Sequence, residues 1–307
     1  MITVLGFILT VAASFIFPGI ILVTKAKLSG RKGPGILQPL FDVIRLLKKG
    51  SVYSKTSSLV FQMAPVIYIA SVLVAALFIP FVQISGILSF EGDFVFFACL
   101  LALGKFLMII SAMDVGSGFE GMGANREALY SILVEPAFFI LMSSVALLSG
   151  QVSFHEIYVH LDLTSYLSQL VVVVVIYLIG LIVLVENSRL PIDDPATHLE
   201  LTMVHEVMVL DNSGFDLALI HLANGIKFAL YGALIANFVI PENFPLMWQI
   251  GIFLLTQIVL AVAIGFLESF RARNKMSKNP QWILTLSAIS LIAFFTALVI
   301  KNKFILS

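Results

Sequence analysis

Eight apolar segments in this chain are long enough to cross a lipid bilayer. Since about 20 apolar residues in a helix span a hydrocarbon core about 30 Å thick, each segment is a candidate transmembrane helix. Backbone polar groups within lipid must be bonded inside a helix or a closed barrel. The sequence therefore predicts an all-α polytopic membrane bundle that forms one integral membrane domain over residues 1–307. Its expected spans are residues 1–24, 59–84, 94–113, 129–148, 167–185, 215–238, 246–267 and 282–300.

The composition excludes several classes of protein. The chain is 60% apolar and 12% charged, and its 18 basic residues balance its 18 acidic residues. A nucleic-acid-binding protein would carry a basic excess, and a disordered chain would carry few apolar residues and a high net charge. The single cysteine, Cys99, cannot supply the thiolates of an iron–sulfur cluster or of a structural zinc site. We expect neither a metal site nor a catalytic residue in this chain.

The distribution of lysine and arginine predicts the orientation in the membrane. Fourteen of the 18 basic residues lie in the connections between spans 1 and 2, 3 and 4, 5 and 6, and 7 and 8. Because connections rich in Lys and Arg stay in the cytoplasm, these four are expected to be cytoplasmic. Both termini are then expected to lie outside the cell membrane.

Two of these connections show the apolar periodicity of a helix. In the first, Leu37, Leu40, Phe41, Ile44 and Leu47 fall opposite charged and polar residues, which is typical of a helix in the membrane interface. Residues 196–210 predict a second helix at the cytoplasmic surface. Its histidines, His198 and His205, are seven residues apart, which is too far for joint metal ligation, so a solvated helix face is favoured.

Three ionisable residues, Lys105, Glu135 and Lys227, lie well inside predicted spans. A charge at the bilayer centre costs about 2.5–3.5 kcal/mol, so these side chains should face the bundle interior and pair. Lys105 and Glu135 lie at similar depths, about 12 and about 9 Å from the cytoplasmic end, which predicts that they pair with each other. Together with Asp114 and Glu186 at the rim, the set suggests a proton relay. The alternative is a static ion pair that fixes helix packing.

Residues 186–195 are the most charged segment next to a span. Pro191 and Pro195 exclude a continuous helix there, so the carboxylates should lie on irregular backbone. They suggest a contact surface or a proton entrance. Alternatively, Asp193 and Asp194 cap the following helix. Upstream, Gly121-Met-Gly123 predicts a compact turn before span 4.

Three loop motifs resemble one known family. They are Gly33-Pro34-Gly35 followed by Leu37-Gln38-Pro39 and Asp42, then residues 121–127, and then Glu186-Asn-x-Arg189-x-Pro191-x-Asp193. Together they are similar to the signature loops of respiratory complex I subunit 1 and its hydrogenase relatives. Residues 193–206 look more like the hydrogenase-4 and formate hydrogenlyase branch. The equivalent loop of the quinone-reducing subunit usually reads Pro-Glu-Ala-Glu-Ser-Glu-Leu.

The resemblance implies a non-catalytic membrane anchor subunit in a prokaryotic inner or plasma membrane. Such a subunit sits in lipid, docks hydrogenase-like large and small subunits and a ferredoxin-like iron–sulfur subunit, and contacts antiporter-like membrane subunits. It would bind no cofactor itself, because the iron–sulfur clusters and the nickel–iron or quinone site would belong to partners or to the interface. Electron transfer there would drive proton or sodium translocation.

The resemblance also implies that Glu135 and Glu186 line an ion path, which agrees with the relay suggested by the charged residues in the spans. The ion path would comprise Lys105, Asp114, Glu135, Glu186 and Lys227. The docking loops for the peripheral arm would contribute Gln38, Asp42, Arg45, Arg126, Glu127, Arg189, Asp193, Asp194, His198, Glu200, His205 and Glu206.

Two alternative functions stay open at this point. One is the quinone-binding subunit 1 of an NADH–quinone oxidoreductase, in which an inner cavity would hold the quinone headgroup. The other is a stand-alone secondary transporter in which Lys105 and Glu135 bind the substrate. The sequence shows no clear internal repeat, which many transporter folds contain.

Overall fold

The computed structural model describes residues 2–82, 84–161, 163, 165–194, 203–240 and 244–302. The described chain is mostly helical and contains no named strand, and eight of its helical segments are long and apolar enough to cross a membrane. The predicted polytopic helical bundle is confirmed. Its helices are α1 (Ile2–Ser14), α2 (Phe17–Leu28), α3 (Gln38–Leu47), α4 (Leu59–Ala76), α5 (Asp93–Asp114), α6 (Gly118–Ser149), α7 (Phe154–Val159), α8 (Tyr166–Glu186), α9 (His205–Met208), α10 (Gly214–Val239), α11 (Leu246–Phe270) and α12 (Asn279–Asn302).

The first span is two helices rather than one. Helix α1 ends at Ser14, and α2 begins at Phe17 with Pro18 in its first turn. Proline has no backbone N–H to donate and favours the first turn of a helix, which explains the break. The two helices together still form a single span of 27 residues.

Helix α6 runs for 32 residues, and the turn predicted at residues 121–123 is wrong. Both glycines lie inside the helix. A Cβ on Gly123 would lie 2.9 Å from the Val204 carbonyl oxygen and 3.0 Å from the Met208 backbone nitrogen. The glycine therefore permits the close approach of α9 instead of turning the chain.

The helix predicted in the first connection is confirmed as α3. Phe41 and Ile44 are exposed on its outer side, and no residue of the helix is fully buried. Of the second predicted helix, residues 196–202 lie outside the described residues. The described remainder forms the single helical turn α9, which ends at Met208, before the predicted end at Leu210.

Helix α10 lies at the centre of the bundle and packs against α1, α3, α4, α8 and α11. It is the most buried of the eight spans in the described chain, whereas the α11 span and the span containing α12 are the least buried. Around α10 the core is mainly aliphatic and aromatic, with rings such as Phe97, Phe138 and Tyr231 meeting edge to face. Burying a polar side chain in this apolar core is therefore unfavourable unless the side chain finds a partner.

The connections between spans meet at two opposite ends of the bundle. One end, which we call the basic end, carries residues 29–58, 115–117, 187–194, 203–213 and 271–278. Hydrogen bonds join these connections, for example from Val52 N to Ser213 Oγ and from Ser58 N to Asp114 Oδ2. At the opposite end the buried Asp93 carboxylate accepts hydrogen bonds from Ser153 Oγ and Phe154 N.

Candidate functional site

Four charged side chains from four spans form a cluster inside the bundle. Glu186, at the end of α8, accepts a hydrogen bond from Lys105 Nζ of α5 at 2.8 Å. Its second carboxylate oxygen lies 3.4 Å from Lys227 Nζ of α10, which also donates to the Glu186 backbone oxygen. Lys105 Nζ lies 3.5 Å from Glu127 Oε1 of α6. We call Lys105, Glu127, Glu186 and Lys227 the buried charge cluster.

The buried charge cluster is electrically balanced. All four residues are 3–7% exposed, and two ammonium groups face two carboxylates. Removing one partner from a buried ion pair leaves an uncompensated charge, which is strongly unfavourable. The four spans are therefore tied together at this point. A change of charge at any member therefore leaves a buried charge without its full set of partners.

The predicted pairing of Lys105 with Glu135 is wrong. Glu135 forms no ion pair within 4 Å among the described residues, and Lys105 pairs instead with Glu186 and Glu127. Depth along a helix can be read from sequence, but the direction in which a side chain points depends on how the helices pack. Glu135 is nevertheless close by, because it lines a small cavity of about 20 Å³ with Lys105, Glu186 and Tyr231.

The remaining residue of the predicted ion path lies elsewhere. Asp114 ends α5, nine residues from Lys105, or about 13 Å along the helix. Its carboxylate accepts a hydrogen bond from Ser58 N at 2.7 Å, at the start of α4. The structure therefore brings together Lys105, Glu186 and Lys227, adds Glu127, and places Asp114 at the basic end.

Two residues predicted to dock partners are engaged inside the chain. Arg189 lies 3.5 Å from Glu268, whose carboxylate also lies 2.9 Å from Lys25 Nζ. Asp193 lies 2.9 Å from Arg273, and burial raises the pKa of the Asp193 carboxyl although Arg273 opposes the rise. These ion pairs fix the connection after α8 against α2, α11 and the connection that follows α11.

Asp193 and Arg126 together hold α9 in place. The Asp193 carboxylate accepts hydrogen bonds from the backbone N–H groups of Val204 and His205, which agrees with the predicted capping role. Arg126 donates to the Met203 carbonyl oxygen at 2.8 Å. The start of α9 is thus bound both to α6 and to the connection after α8.

The other predicted docking residues differ in exposure. On α3, Gln38 donates to Asp42 at 2.8 Å, and Arg45 lies 3.5 Å from the same carboxylate at the surface. Asp194 and Glu206 are half-buried, and Glu127 is buried in the cluster. His198 and Glu200 lie outside the described residues.

A larger cavity of about 380 Å³ opens beside the cluster at the basic end. Most of its wall is apolar, and its polar groups include Asn187, His205 and Asn224. Burial lowers the pKa of His205 to about 3, and the nearby charge of Lys227 adds to the effect. The imidazole is therefore neutral at pH 7. Among the described residues, no three His, Cys, Asp or Glu side chains lie together as a metal site would require.

Sequence reasoning missed several residues of this region. Glu268 is a carboxylate in the last turns of an apolar span, a position that signals a buried partner. Glu127 was predicted as a docking residue before span 4, whereas it lies inside α6 and belongs to the buried charge cluster. Tyr68 and Asn224, which form a hydrogen bond of 2.6 Å between α4 and α10, left no signal in the sequence.

Comparisons with known proteins agree with this architecture. Hydrogenase-4 component C of Escherichia coli (strain K12) is 29% identical over 294 residues, which cover 92% of each chain. Formate hydrogenlyase subunit 4 of the same strain is 34% identical over 146 residues, or 48% of each chain. NADH-ubiquinone oxidoreductase chain 1 of Chondrus crispus is 26% identical over 189 residues, which cover 59% of this chain and 57% of its own.

The fold is also found among solved structures. A chain of the membrane-bound sulfane sulfur reductase, an archaeal respiratory membrane complex, matches with a TM-score of 0.82 at 20% identity, covering 96% of this chain and 98% of that one. Residues 1–300 match the protein family described as NADH dehydrogenase. These matches confirm the resemblance to complex I subunit 1 and its hydrogenase relatives. The chain belongs to the NADH dehydrogenase family and is a multi-pass membrane protein related to subunits of hydrogenase and respiratory complexes.

Proposed function

We propose that this chain is the membrane anchor subunit of a hydrogenase-4- or formate hydrogenlyase-like complex. In this role it couples electron transfer in a docked peripheral arm to the translocation of protons or sodium ions. The buried charge cluster is the observation that carries the proposal, because it places balanced, exchangeable charges where four spans meet. The names of the related E. coli proteins favour the hydrogenase type of complex.

The chemistry of the cluster suits ion transfer. Glu186 is shared by two ammonium groups, so a proton added to its carboxylate leaves both without their common partner. Because a buried unpaired charge is costly, the adjacent lysines would then release a proton or shift towards Glu127. The cavity of about 20 Å³ between Lys105, Glu186 and Glu135 has room for one water molecule, which would extend the path along α6.

The basic end is the proposed docking face for the peripheral arm. Gln38, Asp42 and Arg45 are accessible there on α3. The hydrogenase-like large and small subunits and the iron–sulfur subunit would supply all redox centres, and antiporter-like subunits would pack beside the spans in lipid. By the distribution of Lys and Arg, this end is cytoplasmic and both termini lie outside.

The larger cavity favours a second candidate function. Its apolar wall and its polar groups His205 and Asn224 would suit an amphipathic molecule with a polar headgroup, as in a quinone-binding subunit of an NADH–quinone oxidoreductase. A photoreactive quinone analogue tests this candidate. Labelling of α3 or α10 that excess quinone prevents would support it, and labelling that excess quinone leaves unchanged would exclude it.

The main proposal is tested in the intact complex, purified with its native partners and reconstituted into lipid vesicles. Ion uptake and electron transfer are measured together in the wild type and in Glu186→Gln, which removes the charge and keeps the shape. We expect the number of ions moved per electron to fall about tenfold or more, because the variant lacks the carboxylate that both lysines share. Glu156→Gln, the same change at an exposed position of α7, is the matched control.

Two results would contradict the proposal. Full ion uptake per electron in the Glu186→Gln complex would show that the cluster is a static ion pair that only fixes helix packing. Purification of the chain as an active transporter without partner subunits would show that it is not an anchor. Mass spectrometry of the native complex identifies the partners, and a hydrogen-evolution assay separates the hydrogenase type from the quinone-reducing type.

A further inference from the structure

The last turns of α2 and α11 pack side by side at the basic end. A Cβ on Gly265 of α11 would lie 2.8 Å from Thr24 Cβ of α2, so the two helices are in close contact there. One step further along, Lys25 Nζ lies 2.9 Å from Glu268 Oε2. Helix α2 ends three residues after Lys25, and α11 ends two residues after Glu268. The two helix ends therefore form one edge of the bundle surface.

Four basic side chains at these two helix ends are exposed and form no ion pair within 4 Å with any described residue. They are Lys27, Arg31, Lys32 and Arg271, and we call them the α2–α11 edge. The basic residues further inside differ, because Lys25 and Arg189 share the buried Glu268 carboxylate. The carboxylate at this position is thus already paired, and the outer four positive charges have no counterpart within the described chain.

The backbone turns back directly after α2, which keeps Arg31 and Lys32 beside the helix end. Arg31 N donates to the Ala26 carbonyl oxygen at 2.9 Å, and Gly30 has a φ of +66°, as in the glycine turns that commonly end helices. A Cβ on Gly33 would overlap Ala26 Cβ, so the chain then runs back along α2. Both basic side chains therefore stay at the helix end instead of extending away from the bundle.

Exposed apolar side chains lie next to these charges. Leu28 is 44% exposed, Phe266 is 50% exposed and Phe270 is 69% exposed. The two rings lie one helical turn apart on α11, with 4.5 Å between their centres. Towards the middle of the span, the same outer face continues with the exposed Val259 and Val262. An apolar strip thus leads along α11 to the four positive charges.

Two other roles for these charges explain less of the arrangement. Positive charges stabilise the C-terminal end of a helix, but this effect is confined to the last turn, and Arg31 and Lys32 lie beyond it. An acidic protein in the aqueous phase would pair with the charges and leave the apolar strip uncovered. A phospholipid with a negative headgroup meets both features at once, because its phosphate lies directly beyond its acyl chains.

We propose that the α2–α11 edge binds an anionic phospholipid from the membrane leaflet at the basic end. The headgroup phosphate lies among the four positive charges, and an acyl chain follows Phe270 and Phe266 along α11. Clusters of about four to eight Lys and Arg residues next to a membrane-spanning helix are typical of sites for anionic lipids. The edge is separate from the buried charge cluster, so this inference does not depend on the proposed ion translocation.

The test measures which lipid occupies the edge in the intact complex. Ala272, an exposed residue next to Arg271, is replaced by the photoreactive amino acid p-benzoylphenylalanine. The complex is placed in nanodiscs that contain equal amounts of radiolabelled phosphatidylglycerol and phosphatidylcholine, and it is then irradiated. We expect cross-linking to phosphatidylglycerol to exceed cross-linking to phosphatidylcholine by about tenfold or more. In the triple variant Lys27→Gln, Arg31→Gln and Arg271→Gln, this ratio should fall towards one.

The matched control is the triple variant Lys48→Gln, Lys49→Gln and Lys55→Gln, which removes the same charge from exposed positions elsewhere at the basic end and should keep the ratio. An equal fall in both triple variants overturns the inference, because it would show a general effect of charge on the lipids. A ratio near one with all basic residues present also overturns it. Cross-linking to a partner subunit in place of lipid overturns it in favour of a protein ligand.

Discussion

The Lys105 ammonium and the Glu186 carboxylate lie 2.8 Å apart where α5 meets α8, and both side chains are buried. Replacing Lys105 by methionine keeps the volume and leaves two carboxylates with one ammonium group. We expect the free energy of unfolding in detergent to fall by about 3–5 kcal/mol, the usual effect of breaking a buried pair. Thermal unfolding measures this change. Lys301→Met, at an exposed position of α12, should have little effect, and an equal effect of both variants would contradict the prediction.

Replacing Gly123 and Gly121 by alanine should change the stability of the chain in opposite directions. A Cβ on Gly123 would lie 2.9 Å from the Val204 carbonyl oxygen, so Gly123→Ala should destabilise the packing of α9 on α6 by about 1–3 kcal/mol. A Cβ on Gly121 meets nothing within 4 Å, so Gly121→Ala should stabilise the helix by about 0.5–1 kcal/mol. Hydrogen exchange of the His205–Met208 amides and thermal unfolding report both changes. Equal effects would show that α9 does not rest on Gly123.

Glu268→Gln should lower the stability of the basic end. The Glu268 side chain is fully buried and pairs with Lys25 and Arg189, which are 25% and 19% exposed. Because these partners keep some hydration, we expect a loss of about 2 kcal/mol, below the range for fully buried pairs. Asp42→Asn, which breaks an exposed pair with Arg45, should cost less than about 1 kcal/mol. Limited proteolysis of the connection after α8 should accelerate only in Glu268→Gln, and unchanged cleavage would argue against the ion pairs.

The stability of α9 should fall in acid because of His205. Burial lowers the pKa of His205 to about 3 in the folded chain, whereas the usual value is 6.5. Protons therefore bind the unfolded segment first, so stability is complete above pH 6.5 and is lost as the pH falls towards 3. At pH 5 the loss is at most about 2 kcal/mol. Hydrogen exchange of the His205–Met208 amides between pH 7 and pH 5 measures it. His205→Gln should flatten this dependence, and an unchanged slope would assign it to another group.

Thiol labelling tests the orientation predicted from the basic residues. In a Cys99→Ala background, Ser54→Cys lies exposed at the basic end and Val152→Cys lies exposed at the opposite end. An impermeant maleimide should label Val152→Cys in intact cells and Ser54→Cys only in inside-out vesicles. The reverse pattern would place the basic end outside.

Features that depend on local sequence were the predictable part of the fold. The spans follow from the length of apolar segments, and α3 follows from the period of Leu40, Phe41 and Ile44. The break between α1 and α2 has a local cause as well, since Pro18 marks a helix start. Gly123 misled the prediction because glycine serves both turns and close helix contacts, and only the position of Val204 separates the two roles.

The contacts within the site depend on long-range packing. Lys105 and Glu135 lie at similar depths along their helices, but the rotation of α6 presents Glu127 to the lysine instead. Arg189 resembled a free docking residue because its partner, Glu268, is 79 residues away in the chain. Neither ion pair leaves a pattern in the nearby sequence, so neither could be predicted from the sequence.

Helix α6 extends from the basic end to the buried charge cluster. Its 32 residues measure about 48 Å, against about 30 Å for the hydrocarbon core, so a large part of it projects beyond the spans. The projecting turns carry Arg126, which donates a hydrogen bond to the Met203 carbonyl oxygen. The same helix continues past Glu127 to Glu135. Because a helix is stiff, a displacement of its outer turns by a few ångströms would also displace the Glu127 and Glu135 carboxylates. The helix would bend most easily at Pro136, which follows both residues.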